Sequence, residues 1–200
     1  MKLYYVPRTR ASRPRWLLEE LGVPHELVRL DTSQKETRAP EHLARHPLGH
    51  VPVLEDDGIR IFESMAICLW LAERYPEKGL VAPAGSAGRA EAYQWLFFAA
   101  TELEPPLQAL SVQARRPEAE RDAARIEEAR RQFHAAAAVI EARLAGRTFL
   151  VGDAFSVADV VVGSVLLWGR VSAGLDGLPE TAAYLARLKE RPAWRRSIKD

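Results

Sequence analysis

Apolar residues fall in short, alternating clusters over the first third of the chain and in long helical stripes after it. Leu3 to Val6 is apolar and aromatic, a predicted strand that Pro7 ends. Thr9 or Ser12 can cap a helix running through Trp16, Leu17, Leu18 and Leu21, with Gly22 as its stop. Glu26 to Leu30 alternates polar and apolar as a second strand. A polar loop from Asp31 to Pro40 leads to a short helical piece around Glu41 to Arg45. Val53-Leu54 and Ile59 to Phe62 then pair as a hairpin across Asp57-Gly58. From Met65 to Ala72 the residues are apolar on every side, with charge only at Glu63, Glu73 and Arg74, so this helix is expected to be buried all round.

Tyr75-Pro76-Glu77-Lys78-Gly79, followed by Pro83, Gly85 and Gly88, is rich in breakers and marks a domain boundary. The division expected is 1–76 and 86–200. No strand pattern follows it. Ala90 to Leu103 is helical and carries Tyr93, Trp95, Phe97 and Phe98, and Pro105-Pro106 should end or kink it. Glu118 to Leu144 places Ile126, Phe133, Ile140 and Leu144 on one face, up to Gly146. Ser156-Val157-Ala158-Asp159 reads as a capping box, with Phe155 stapling onto Val160, ahead of a helix that is apolar on every side to Trp168. That helix is the expected centre of the second domain. Pro179 to Glu190 and Trp194 to Ile198 supply closing helices.

Composition narrows the function classes. The 200 residues carry a formal net charge of +1 with both signs plentiful, which gives no reason to expect a nucleic-acid or membrane partner. The N-terminal apolar run is too short for a signal peptide, so a cytoplasmic protein is expected. Cys68 is the one cysteine, which excludes an intramolecular disulfide and a Cys-x-x-Cys motif; amid an apolar helix it reads as a small inert hydrophobe. His42 and His46 stand four apart beside Glu41, but Pro47 biases His46 away from helical geometry and no third ligand is evident, so no metal is expected.

Chemistry concentrates in His46-Pro47-Leu48-Gly49-His50-Val51-Pro52-Val53-Leu54 and Glu63-Ser64-Met65-Ala66-Ile67. A proline inside an apolar strand must lie at the strand's start, on an edge or at a cis bond, and each choice leaves neighbouring backbone groups free. Those of Val51 suit an extended, peptide-like ligand. The Ser64 hydroxyl and the start of a helix suit a carboxylate.

These two segments resemble the glutathione site of the cytosolic glutathione transferases, whose Pro-x-Gly-x-Val-Pro-x-Leu and Glu-Ser-x-Ala-Ile patterns match Pro47 to Leu54 and Glu63 to Ile67. The element order over 1–75 is that of the thioredoxin-like fold. The resemblance implies the same: a thioredoxin-like α/β domain followed by an all-helical one, and a homodimer acting in detoxification. It implies glutathione as co-substrate, with His50 at the glycine end, Val51 and Pro52 along the backbone, and Glu63 and Ser64 at the γ-glutamyl end. The β1–α1 region, Pro7-Arg8-Thr9-Arg10-Ala11-Ser12, has no cysteine, so the reactive sulfur must come from the ligand. Thr9 is the first candidate to donate a hydroxyl to the thiolate, then Tyr5, then Ser12. Tyr5 also suits a core position, and Arg8 and Arg10 could supply positive charge. Trp95, Phe98 and Glu102, on one helical face, and Trp168 are candidates to line a pocket for an apolar electrophile in a cleft between the domains. A glutathione-dependent disulfide reductase and a non-catalytic interaction module are the alternative readings.

Overall fold

The computed structural model describes residues 1–199, which fall into two compact units. The first comprises Met1–Val81 together with the segment from Arg191 onward, and the second is Ala82–Glu190.

The first unit is built on a four-stranded mixed sheet. Strands β1 (Lys2–Tyr5), β2 (Glu26–Arg29), β3 (Val53–Asp56) and β4 (Ile59–Phe62) lie in the order β2-β1-β3-β4. β1 is parallel to β2 and antiparallel to β3, and β3 and β4 form the predicted hairpin. Asp57 and Gly58 turn it with φ of 46° and 80°, a left-handed pair that matches the right-handed twist of the strands. Helix α1 (Ser12–Leu21) buries Trp16, Leu17, Leu18 and Leu21 and stops where Gly22, at φ 66°, donates its N–H to the Leu18 carbonyl at 3.0 Å. Helix α2 (Pro40–Leu43) is short, and α3 (Ser64–Arg74) packs against α1 and the hairpin. α3 is not buried all round as its composition suggested. Ile67, Cys68, Leu71 and Ala72 are buried, but Ala66 is exposed and Met65, Leu69 and Trp70 are half-buried. Beside them Phe62 and Ile59 are 40% and 43% exposed.

The chain's last described helix belongs with this unit, not with the second domain to which the sequence assigned everything past 86. The Glu20 carboxylate accepts from Arg191 through both oxygens, at 2.7 and 2.8 Å, and Glu19 accepts from Arg196 at 2.6 Å. These bonds tie the closing helix, α9 (Pro192–Ser197), along α1. Helical periodicity fixes which face is apolar but not which neighbour covers it.

The second unit is helical. Its helices are α4 (Ala87–Phe98), α5 (Glu104–Ala114), α6 (Ala123–Leu144), α7 (Val157–Ser172) and α8 (Pro179–Glu190). A π-helical turn, Ala99–Leu103, joins α4 to α5, so Pro105-Pro106 sit in the first turn of a new helix and do not end the old one. Proline is tolerated there because first-turn N–H groups have no intrahelical partner.

α7 is the predicted central helix, buried from Val157 through Gly163. At Gly169 it meets α6 so closely that an added Cβ would lie 2.1 Å from the Phe133 ring, whose side chain is fully buried. Gly169→Ala is therefore expected to destabilise the protein by about 1–3 kcal/mol through overpacking, more than alanine's helix preference returns. Urea unfolding measures it, and an unchanged midpoint would contradict the contact.

Candidate functional site

The sheet register gathers the motif residues of the first unit at one end. β3 begins where β1 ends, since Val53 pairs with Tyr4, and β4 ends where β3 begins, since Val53 pairs with Phe62. The segments that leave or enter the sheet there are Val6 to Ala11, His50 to Pro52, and Glu63-Ser64.

Each segment has a local reason for its shape. Gly49 has φ 60°, and a Cβ on it would come 2.4 Å from the Thr37 carbonyl oxygen, so only glycine fits the turn. Arg38 donates to the Leu48 carbonyl at 2.9 Å and His42 Nε2 to that of His50 at 2.8 Å, which docks the loop from below. The Val51-Pro52 bond is cis, one of the three options the sequence left open. Among the described residues Val51 takes part in no backbone-to-backbone hydrogen bond, and it is only half-buried. His50 is exposed.

Glu63 is exposed and held at φ 72°, ψ 112°, outside the ordinary regions for a side-chain-bearing residue. Its side chain makes no capping hydrogen bond to α3. The first helical bond of α3 runs from Ile67 N–H to Glu63 C=O at 2.9 Å, leaving the N–H groups of Ser64, Met65 and Ala66 ahead of it. Ser64 is buried, and its Oγ accepts from the Arg13 guanidinium at 3.0 Å. Its own proton must then point elsewhere. Arg13, 3% exposed, places a positive charge beneath the first turn of α3.

Arg13 escaped the sequence reading, although a signal was present. It stands four and eight residues before Leu17 and Leu21, on the buried stripe of α1, where a charge needs a reason.

The β1–α1 turn is less open than expected. Thr9 Oγ1 donates to the Val6 carbonyl at 2.7 Å and accepts from Ala11 N–H at 3.3 Å. The N–H groups of Ser12 and Arg13 are taken by the Thr9 and Arg10 carbonyls. Ser12 is exposed and opens α1 without capping it, and Arg8 is exposed with φ 59°. Tyr5 lies in the core with the Arg15 guanidinium 5.2 Å from its ring centre, the structural role that its strand position suggested. Cys68 is fully buried, and burial pushes its thiol up to about 12, which makes it inert at neutral pH. No group of three or more His, Cys, Asp or Glu is placed to hold a metal among the described residues.

In the second unit Trp95 is buried against Phe98, edge to face at 5.7 Å, so it is a core residue before it is a pocket lining. Phe98 and Trp168 are half-buried and Glu102 is exposed. The π turn between Phe98 and Glu102 adds residues per turn, so Glu102 lags behind the face that it would share with Trp95 and Phe98 in a regular helix.

Comparison with known proteins settles the family. Sequence models described as Glutathione S-transferase, N-terminal domain, and Glutathione S-transferase, C-terminal domain, match residues 1–73 and 93–192. Glutathione S-transferase 4 of Zea mays is 36% identical over 192 residues, covering 91% of this chain and 84% of that protein. The chain belongs to the glutathione S-transferase family. Glutathione S-transferase GstA of Escherichia coli O157:H7 is 32% identical over 196 residues, covering 96% of this transferase and 94% of its own length. The solved ternary complex of BphK, a bacterial GST, superposes with a TM-score of 0.88 at 30% identity over 99% of this chain and 98% of that one. A sphingomonad glutathione S-transferase complexed with glutathione gives 0.86 at 29% identity over 99% and 97%. The thioredoxin-like and all-helical architecture of the transferases is thus that of this chain. No helix among the described residues is long and apolar enough to cross a membrane.

Proposed function

We propose that this transferase binds glutathione at the end of the sheet where Val51-Pro52 and Glu63-Ser64 meet, and activates its thiol for attack on a small apolar electrophile. The observation that carries the reading is the pairing of Val51's unpaired backbone with the open first turn of α3, backed by Ser64 and Arg13. A tripeptide can add to Val51 as an edge strand would, and its γ-glutamyl carboxylate suits the Ser64 hydroxyl and the α3 N–H groups. In this reading His50 takes the glycine carboxylate and Glu63 the amino group.

Thiol activation falls to Thr9, whose hydroxyl must turn from the Val6 carbonyl toward the sulfur. Arg8 adds positive charge in the same turn. The thiolate then attacks the electrophilic carbon and the leaving group departs with its electron pair. Phe98 and Trp168 are the half-buried aromatics left to meet an apolar co-substrate, with Trp95 supporting Phe98 from behind and Glu102 at the margin. The half-buried face of Met65, Leu69 and Trp70, flanked by Phe62 and Ile59, supports a homodimer, and a cytoplasmic role in detoxification fits this chemistry. The engaged Thr9 hydroxyl favours one second reading, glutathione-dependent disulfide reduction, in which glutathione supplies the attacking thiolate and a thiol leaves.

An ultraviolet titration of glutathione thiolate with and without stoichiometric protein tests the reading. Bound glutathione should titrate well below the free thiol value of about 8.5. Thr9→Ala should raise that value again and lower turnover by about 10–100-fold, the worth of a hydrogen bond to a charged group, with little change in affinity. An unshifted thiol would overturn the activation step, and no binding would overturn the site.

A further inference from the structure

We propose that His42 and His46 are positioning residues that latch the His46–Pro52 loop in its ligand-ready shape only while both imidazoles are neutral. The inference rests on the glutathione reading for its consequence, but the latch itself is a matter of hydrogen-bond roles.

His42 is 1% exposed. Its Nε2 lies 2.8 Å from the His50 carbonyl oxygen, which can only accept, so Nε2 carries the proton. Its Nδ1 is buried and has no hydrogen-bond partner. A second proton there would be a buried donor without an acceptor. His46 is 4% exposed, and its Nδ1 accepts from the Leu48 N–H at 3.2 Å. Protonating Nδ1 abolishes that acceptor and sets two N–H groups against each other. The same turn is closed by Gly49 N–H to the His46 carbonyl at 2.7 Å, so Leu48, Gly49 and His50 move together when it opens. The latch thus bears directly on the backbone leading into Val51.

The surroundings oppose charging His46. Burial is the main cause that pushes its pKa down, and His50, its ring 5.2 Å away, and His42 add to this, while Glu63 and a backbone hydrogen bond of His46 itself pull the other way. From β4 the Phe62 ring packs against it at 4.6 Å and offers no acceptor. His42 faces the Tyr4 ring of β1 at 6.3 Å. The Tyr4 hydroxyl is spent on Glu55 of β3 at 2.8 Å, and Arg45 and Arg60 already pair with that carboxylate. Arg38 beneath the loop adds positive charge at Leu48. A histidine whose folded pKa lies below its unfolded value contributes its full stability above about pH 6.5 and loses it as pH falls through the folded value.

S-methylglutathione is the probe, because it has no thiol to titrate. Its affinity should fall about tenfold between about pH 7.5 and pH 5.5, and amide exchange at Leu48 to Val51 should quicken over the same range. Protonation of exposed His50 would strengthen attraction for the ligand's carboxylate, so a fall cannot come from it. In the double variant His42→Gln, His46→Asn, the new amides place a donor and an acceptor where Nε2 and Nδ1 stood and do not titrate. Affinity and exchange in it should be flat across the range. A flat profile in the native protein, or the same slope in the double variant, would overturn the latch. Failure of the probe to bind at any pH would overturn the glutathione reading instead, and the exchange profile would still decide for or against the latch.

Discussion

Asp159→Ala is expected to cost about 3–5 kcal/mol of stability, because it leaves several buried hydrogen-bond donors without an acceptor. Asp159 is fully buried in the first turn of α7 and accepts four hydrogen bonds. Oδ1 takes Leu150 N–H at 3.0 Å and the Tyr184 hydroxyl at 2.8 Å, and Oδ2 takes Ser156 N–H at 2.8 Å and its hydroxyl at 3.0 Å. Those donors come from the α6–α7 loop, the α7 cap and α8, so one carboxylate joins three segments around the central helix. Truncation strands the buried Tyr184 hydroxyl and two backbone N–H groups, each worth about 1–3 kcal/mol when left unpaired.

Burial raises the Asp159 pKa despite the hydrogen bonds that lower it, and raises that of Tyr184 in turn. The sign follows. A carboxyl with a folded pKa above its unfolded one withdraws stability as pH rises from below the unfolded value through the folded one. Urea unfolding of native and variant protein checks both points. A loss below about 1 kcal/mol would mean that the network is not what holds the unit together.

Asp159 was legible in the sequence because a capping box is local. Four consecutive residues contain both partners, and no knowledge of the fold is needed to see them. The same holds for the Asp57-Gly58 turn, for Gly49 in its Pro-x-Gly setting and for the Val51-Pro52 break. What stayed hidden depends on distant partners. Arg13 meets Ser64 across 51 residues, and His42 meets a carbonyl only because the loop folds back over α2. The i, i+4 spacing of His42 and His46 is visible, but spacing raises only the question of a metal, for which no third ligand is evident. In the structure His42 Nε2 and His46 Nδ1 are engaged in the loop's own hydrogen bonding, and His42 Nδ1 is buried. α9 looked like the end of a helical domain until Glu19 and Glu20 of α1 claimed its arginines. The π turn was invisible for a different reason: the two prolines announced a break, and the chain absorbed them by widening the preceding turn instead.

Ser64→Ala should weaken glutathione binding by about 10–100-fold, since a hydrogen bond to a carboxylate is worth about 1.5–3 kcal/mol. Arg13 makes this more than a single-contact prediction. Its guanidinium, donating to Ser64 Oγ, fixes that hydroxyl's rotamer and turns its proton outward, and its charge favours an anion at the α3 N-terminus. If Arg13 acts through Ser64, Arg13→Gln and Ser64→Ala will each weaken binding, yet the double variant will be little worse than the more damaged single one. Calorimetric Kd values for the four proteins give the coupling directly, expected at about 1 kcal/mol or more. Additive losses would place Arg13 outside the site's chemistry, as an ordinary buried charge. Arg13→Lys separates the two contributions. It keeps the charge but loses the planar fork, so it should restore part of the affinity if the field matters and none if the rotamer alone does. Melting temperatures show whether each variant remains folded, so that lost binding is read from intact protein. The ligand's carboxylate is thus expected to sense a residue that it does not touch, through a hydroxyl that it does.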